Sequence, residues 1–436
     1  MWHVLPLSSK RIHLHQEKSK YLRLLFVVPY TPTPIRTRPY HLIKSLIQRN
    51  YDLTLATLWS DSNEYAALKQ WEEVGIRVLA QPITRQRSLW NVARFALNAA
   101  PWQASFSWHP RFNALLTSAI QNNPFNVIHV EHLRGARYGL SLREQLKRKH
   151  APTPLIWDSV DCISELLEQT QRSSTRRASR LMARVELPRT RGYEPRLVTL
   201  FSRTLVVSNA ERAAFLKLLQ AARLPNTPYA AETIRVVPNG VDLEFFSPSA
   251  VKREPATILF SGKMSYHANV TAAQYLLDEI FPRVRQQVPN ARIIIAGKDP
   301  PANLVARHSD FIEITGTVDD LRPYFARATV ACAPILYGAG IQNKILEAMA
   351  MGTAVVTTSK ALDGINARPG HDLLIGDDAA ALAAALVQII QDAARRNALE
   401  QNGRSYVEAN HRWSHSASVL DSVYQEAIAQ QQLAKN

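Results

Sequence analysis

Cysteine is nearly absent from this chain of 436 residues. The two present, Cys162 and Cys332, lie far apart in apolar stretches. That excludes a disulfide framework and any cysteine-based zinc spacing, and predicts two buried thiols in a reducing cytoplasm. Long apolar runs are missing too. None approaches the roughly 20 residues that span a bilayer. No Asp-x-Asp sequence occurs, so no essential divalent metal is expected. At the N-terminus a short apolar patch precedes Lys10, Arg11, Lys18 and Lys20. A secretory signal has the opposite order, so residues 1–20 read as a basic flexible tail.

Acidic residues are scarce in one half only. Residues 1–250 hold 34 Lys+Arg against 18 Asp+Glu, and residues 251–436 hold 18 of each, so the net charge of +16 sits entirely in the first half. Such a half-molecule meets polyanions: nucleic acid, lipid headgroups or phosphorylated substrates. No helix-turn-helix, zinc or RNA-module signature is present, so nucleic acid is not the expected partner. Residues 171–196 carry eight arginines and no lysine, with Leu181, Met182 and Val185 among them. As a helix this stripe fits peripheral contact with an anionic membrane surface. It fits a solvated helix with ion pairs as well.

What is abundant is a rhythm. Hydrophobic residues make up 46% and charged residues 20%, as in a folded protein, and the length suits two domains. Short apolar runs recur at 22–28, 53–58, 76–80, 126–130, 154–158 and 204–208, then at 257–262, 292–297, 311–315, 329–334 and 354–358. Each precedes a turn and a helical pattern, such as 269–287. Continuous apolar runs indicate strands buried on both faces of a parallel sheet. The alternation occurs twice, which predicts α/β architecture with two Rossmann-like doubly wound domains facing across a cleft. The stretch 245–255, FFSPSAVKREP, interrupts it. The expected division is 21–247 for an N-terminal domain and 252–408 for a C-terminal domain. Residues 409–436 read as a helix packing back on the N-terminal domain, with Ser414 or Ser416 as its cap.

Ligands bind beyond the C-terminal ends of strands in such sheets. After the run 329–334 come Gly338 and Gly340, which permit close backbone approach and positive φ. A helix expected from Ile341 to Met351 would offer Ile341, Gln342 and neighbouring N–H groups to an anion. Lys344 adds a charge there, and Glu347, three residues on, can accept hydrogen bonds from a ribose diol. The same residues also fit a surface Lys–Glu pair. Gly262 and Lys263 follow another strand, where the lysine can reach a diphosphate. Backbone around Gly316–Val318 can line a base pocket. In the basic half, Arg36 and Arg38 follow a strand and can hold a phosphate. Glu131, His132, Asp158 and Asp161 also follow strands and can orient or deprotonate a hydroxyl. Each of these also fits a capping or structural role.

The phrases VVPNGVDLEFFSP (236–248), SGKM, IIIAGKDP, ITGTVDDLRPYFARATVACAP and GAGIQNKILEAMAMGTAVVTTSKALDGI (338–365) occur in one order, followed by HRWSHSASVLDSVYQ (411–425). In these the chain resembles the retaining GT-B glycosyltransferases of family 4, also called glycosyl transferases group 1. The first half is similar more loosely, through 25–55 and 204–215. The resemblance implies transfer of a sugar from a nucleotide-diphosphate donor to a glycan or lipid-linked acceptor, with no further cofactor. It implies that Lys263 and Lys344 face the donor diphosphate and that Glu347 holds the ribose as the second glutamate of a Glu-x7-Glu motif. Ala339 stands where the first glutamate would be. The wording GIQNKILEAMAMG resembles sugar transferases of cell-surface polymer pathways, which implies a cytoplasmic protein at the inner membrane face. The departure at Ala339 leaves a noncatalytic sugar-nucleotide or glycan-binding protein as the alternative. A sugar-nucleotide epimerase on the same fold matches the NGVD and EAMAMG phrases less well.

Overall fold

The computed structural model describes residues 21–433 except 50, 96–97, 150–152, 175–176, 225–226, 265 and 339. The expected basic tail, Arg176 and Ala339 lie outside the described residues. The chain divides into two compact units. The first comprises the described residues up to Leu167, together with Arg184–Val237 and 416–433. The second comprises Glu168–Ala183 and Pro238–His415.

The first unit contains β1 (Leu22–Val28), β2 (Tyr51–Trp59), β3 (Arg77–Pro82), β4 (Val127–Glu131), β5 (Leu155–Val160), β6 (Arg203–Val206) and β7 (Ile234–Val236). They form one parallel sheet in the order β3-β2-β1-β4-β5-β6-β7. Leu25 of β1 pairs with Thr54 on one side and Ile128 on the other. Leu24 to Val28 are all fully buried, which is why β1 reads as an unbroken apolar run.

The second unit contains β8 (Thr257–Ser261), β9 (Arg292–Ala296), β10 (Ile312–Gly316), β11 (Val330–Ala333), β12 (Val355–Thr357) and β13 (Leu374–Ile375). Its parallel sheet runs β10-β9-β8-β11-β12-β13. Both units are thus Rossmann-like. In each, strand order reverses beside the first strand, between β1 and β4 and between β8 and β11. Loops leaving the C-terminal ends of those strands diverge and open a crevice.

The expected helix at 269–287 is present as His267–Tyr275, a wide π-turn at Leu276–Ile280, and Phe281–Gln287. Pro282 explains the wide turn. Its nitrogen has no hydrogen for the carbonyl of Asp278, and its ring would crowd that carbonyl in a regular helix.

The closing helix Trp413–Leu433 buries Ala417, Leu420, Val423, Tyr424 and Ala427, one stripe at helical spacing. Within the first unit Tyr424 Oη meets His129 Nδ1 of β4 at 2.8 Å, and Tyr51 Oη donates to Asp421. The helix begins at Trp413, so Ser414 and Ser416 fall inside its first turn and not at the cap. Just before it, Val241 N–H donates to His411 O at 2.8 Å. A Cβ on Gly240 would stand 2.7 Å from the backbone nitrogen of Trp413. The NGVD and HRW phrases are therefore two sides of one close backbone contact. Among the described residues no helix is long and apolar enough to cross a membrane.

Candidate active site

In the second unit the crevice between β8 and β11 is shaped by glycine. β8 ends at Ser261, and Gly262 follows with φ 156°. Gly297, after β9, has φ 152°, and a Cβ there would stand 1.9 Å from the Gly262 carbonyl oxygen. No side chain fits between the two loops. Met264 N–H donates to Lys298 O at 2.8 Å and ties the loops together. Lys263 is thereby carried at the end of a braced turn, with its side chain exposed.

Beyond β11, Gly338 (φ 156°) donates its N–H to Gln169 Oε1 at 3.0 Å, and Gly340 has φ 72°. The helix then runs Asn343–Ala350, shorter at both ends than expected. Gln342 occupies the cap position without a capping hydrogen bond. Lys344, in the first turn, donates from Nζ to Asn269 Oδ1 at 2.8 Å and Gln342 Oε1 at 3.2 Å. Its Nζ lies 5.6 Å from the centre of the Phe260 ring. Burial pushes the Lys344 ammonium down to about 8. Burial pushes the Glu347 carboxyl up to about 7, against the pull of Lys344. Glu347 makes no hydrogen bond among the described residues, so its oxygens remain available. Gly316 ends β10 with φ 68° and open space where a side chain would be. Val318 is half-buried nearby in sequence, and Ile341 is buried.

Three residues that sequence reasoning missed organise this crevice. Asn269 holds Lys344 and also donates from Nδ2 to Lys263 O at 2.9 Å. Tyr337 Oη meets His267 Nδ1 at 2.9 Å and Thr271 Oγ1 at 3.2 Å, with the Tyr337 and His267 rings stacked. Gln169 accepts from Gly338. Asn269 lies six residues past Lys263, and no periodicity marks it.

In the first unit the structure separates the acceptor-side candidates. Arg38 is buried and faces inward. Its Nε and Nη2 bind Asp158 at 2.9 and 3.1 Å, and its Nη1 donates to Val237 O at 2.9 Å. Asp158 is fully buried and also accepts from Val160 N–H at 3.2 Å. Arg36 and Arg38 therefore do not form a pair open to one phosphate. Arg36 instead pairs with Glu64 at 2.7 Å and donates to Thr31 O at 3.0 Å.

Glu131 is buried, accepts from Tyr30 Oη at 2.7 Å, and leaves Oε2 without a partner. Burial, then the nearby Asp158, push its carboxyl up to about 8. His132 follows with φ 63°, a left-handed backbone on a non-glycine residue, and burial pushes its imidazole down to about 3. Asp161 belongs elsewhere, near Glu211 and Glu194 at the start of the helix Ile163–Ser173. Glu211 accepts from Cys162 N–H, and Glu194 accepts from Ile163 and Ser164 N–H at 2.9 Å each. These carboxylates satisfy donors that the helix itself leaves open. Burial, then Glu211, push Asp161 up to about 7.

Two family models match this chain. Residues 35–245 match Glycosyltransferase Family 4, and residues 255–392 match Glycosyl transferases group 1. In fold, the sucrose-phosphate synthase of Thermosynechococcus elongatus superposes with a TM-score of 0.65 at 18% identity, covering 94% of this chain and all of that one. Anabaena Alr3699/HepE, solved in complex with UDP and glucose, superposes with a TM-score of 0.63 at 14% identity, covering 93% of this chain and all of that one. The phosphatidyl-myo-inositol mannosyltransferase of Mycobacterium tuberculosis is 31% identical over 206 residues, covering 43% of this chain and 53% of that protein. The match thus spans about half the length of that relative. The fold is GT-B. The chain belongs to glycosyltransferase family 4, the glycosyl transferases group 1.

Proposed function

We propose that this protein is a retaining glycosyltransferase that moves a sugar from a nucleoside-diphosphate donor to a hydroxyl of a glycan or lipid-linked acceptor, in the synthesis of cell-surface polysaccharide. The observation that carries the reading is the free Glu347 carboxyl one turn beyond a half-buried Lys344, at the start of a helix and beside the β8–β11 crevice. Glu347 accepts hydrogen bonds from the donor ribose. Lys263 and Lys344 face the diphosphate. Backbone at Gly338, Gly340, Ile341 and Gln342 lines the phosphates and sugar, and backbone at Gly262 and Gly316–Val318 completes the donor pocket.

Departure of the nucleoside diphosphate leaves negative charge on a phosphate oxygen. Two lysines and the helix N-terminus stabilise that charge, and they are in place before the reaction begins. The acceptor hydroxyl attacks from the same face of the sugar, which gives retention. Glu131 and His132 orient the acceptor in the first unit. The unpartnered Oε2 of Glu131 and the strained backbone of His132 support that assignment.

A panel of nucleotide sugars tests the reading by release of nucleoside diphosphate. Steady release that falls about 100-fold in Glu347→Ala, a loss of about 3 kcal/mol of transition-state stabilisation, is the expected result. Tight binding without release over hours would favour a noncatalytic binding protein.

The helix Arg177–Leu200 supports a peripheral membrane location at the cytoplasmic face. It exposes Leu181, Met182 and Val185 between Arg177, Arg180 and Arg184, and its buried Glu186 and Glu194 accept from backbone N–H groups of neighbouring segments. Pelleting with anionic vesicles should weaken with salt and with neutralisation of those three arginines. Pelleting indifferent to both would remove this part of the reading.

A further inference from the structure

The crevice of the first sheet contains a cation that has no ion-pair partner among the described residues. The helix His132–Arg148 starts where β4 ends, and Arg134 lies in its first turn. The Arg134 N–H donates to His132 Nδ1 at 3.3 Å. Its guanidinium makes no hydrogen bond or ion pair among the described residues, and its Nε is buried without a partner. The flat face rests on Phe106, 5.1 Å from the ring centre. Tyr30 and Arg36 lie near enough to act on it electrostatically.

A half-buried guanidinium without an anion is incompletely solvated, and a cation–π contact offsets only part of that. Local carboxylates do not offset the rest. Glu64 is spent on Arg36. Glu131 is hydrogen-bonded to Tyr30, and burial favours its neutral form. Between Glu73 and Glu131 the chain has five arginines and no Asp or Glu. Among the described residues, no carboxylate supplies the counter-charge.

We propose that Arg134, flanked by Arg36, Tyr30 and His132, is an anion subsite that binds a phosphodiester group of the acceptor. The inference rests on the reading that the first unit receives the acceptor. Charge decides the class. Of the two arginines in this group, Arg36 is paired to Glu64, so Arg134 alone brings an unneutralised charge, and a phosphodiester carries one negative charge. The planar fork of arginine suits two phosphate oxygens. The position fits as well, because β1 and β4 flank the crevice where the strand order reverses.

The test uses the full chain, with dimethyl phosphate as probe and its 31P line broadening as readout. Saturable broadening at millimolar concentration is expected. Arg134→Gln should weaken it at least tenfold, Arg134→Lys should restore part of it, and Arg148→Gln, at the exposed far end of the helix, should leave it unchanged. Lys263→Ala, which can remove phosphate binding in the second unit, should leave the Arg134-dependent part unchanged; if that variant abolishes all broadening, the anion sits in the second unit and the proposal fails. Thermal stability gives a second readout. Removing an unpaired half-buried charge should hold or raise the melting temperature of the ligand-free protein, so a sharp fall in Arg134→Gln would make the residue structural and overturn the subsite. Dihexanoylphosphatidylglycerol below its micellar concentration separates the sources. Tighter Arg134-dependent binding than dimethyl phosphate identifies a lipid-borne group, and equal binding a soluble one. If no nucleotide sugar is turned over yet Arg134-dependent binding persists, the subsite stands and the transferase reading falls. The reverse result removes the subsite alone.

Discussion

The two crevices have the same topology and opposite uses of charge. Between β1 and β4 of the first unit, charged groups are mostly consumed inside the protein: Arg38 by Asp158, Arg36 by Glu64, and one of the two Glu131 oxygens by Tyr30. Between β8 and β11 of the second unit, the side chains of Lys263 and Glu347 make no hydrogen bond among the described residues, and Lys344 donates to the neutral side chains of Asn269 and Gln342. A doubly wound sheet fixes where ligands enter. Whether the residues there serve the fold or a ligand depends on how their hydrogen bonds are spent.

The largest expected effect follows from that contrast. Asp158→Ala removes the carboxylate that binds two edges of the buried Arg38 guanidinium, which should destabilise the first unit by about 3–5 kcal/mol. Limited proteolysis should then cut near β4 and β5 while the second unit resists. Glu347→Gln, in contrast, removes no hydrogen bond and should leave the melting temperature within a few degrees. It should still reduce turnover by about 100-fold, near 3 kcal/mol. If both substitutions damaged stability equally, the division between structural and available charge would be wrong.

The sequence carried much of this picture, for physical reasons. Continuous apolar runs mark strands covered on both faces, and every such run is a strand. The strands β7 and β13 escaped because three and two residues are too short to rise above background. Positive φ at Gly338 and Gly340 follows the expectation for those two glycines, and Gly262 shares it without having been marked. Partner choice was not legible. Arg38 looked as available as Arg36, and only the fold brings Asp158, 120 residues away, onto its guanidinium. Asn269 and Gln169 were invisible for the same reason.

Acidity separates the crevices again, with a smaller effect. Glu131, Asp161 and Glu194 have folded values of about 8, 7 and 7, raised mainly by burial above the ordinary carboxylate range. The folded first unit therefore keeps protons that the unfolded chain has already released. That stabilisation is complete below about pH 4 and is lost as pH rises through 7 to 8. His129 and His132, lowered to about 4 and 3, act in the opposite direction, but only below about 6.5, where the unfolded chain begins to bind their protons. Between pH 6.5 and 8 the carboxyls act alone. Hydrogen exchange, corrected for its intrinsic pH dependence, should show weakening protection of β4 and β5 over that window and a smaller weakening of β9, in whose unit burial raises Glu347 to about 7. Glu194→Gln should flatten part of the trend.

The smallest effect tests how Lys344 is held. Asn269 binds the Lys344 ammonium and the Lys263 carbonyl, so it couples the two lysine-bearing segments without carrying charge. Asn269→Ala removes two hydrogen bonds, each contributing about 1 kcal/mol net, and frees the Lys344 side chain to move. The lysine keeps its charge, so donor binding should survive. Affinity for a nucleoside diphosphate, measured by calorimetry, should fall about tenfold, with a smaller loss in turnover once donor is saturating. Asn269→Asp separates position from charge. It pairs Lys344 with a carboxylate, competes with the diphosphate, and should weaken binding more than alanine does. An aspartate variant that binds better than alanine would mean that Lys344 does not face the phosphates, and the second crevice would then spend its charge on structure as the first one does.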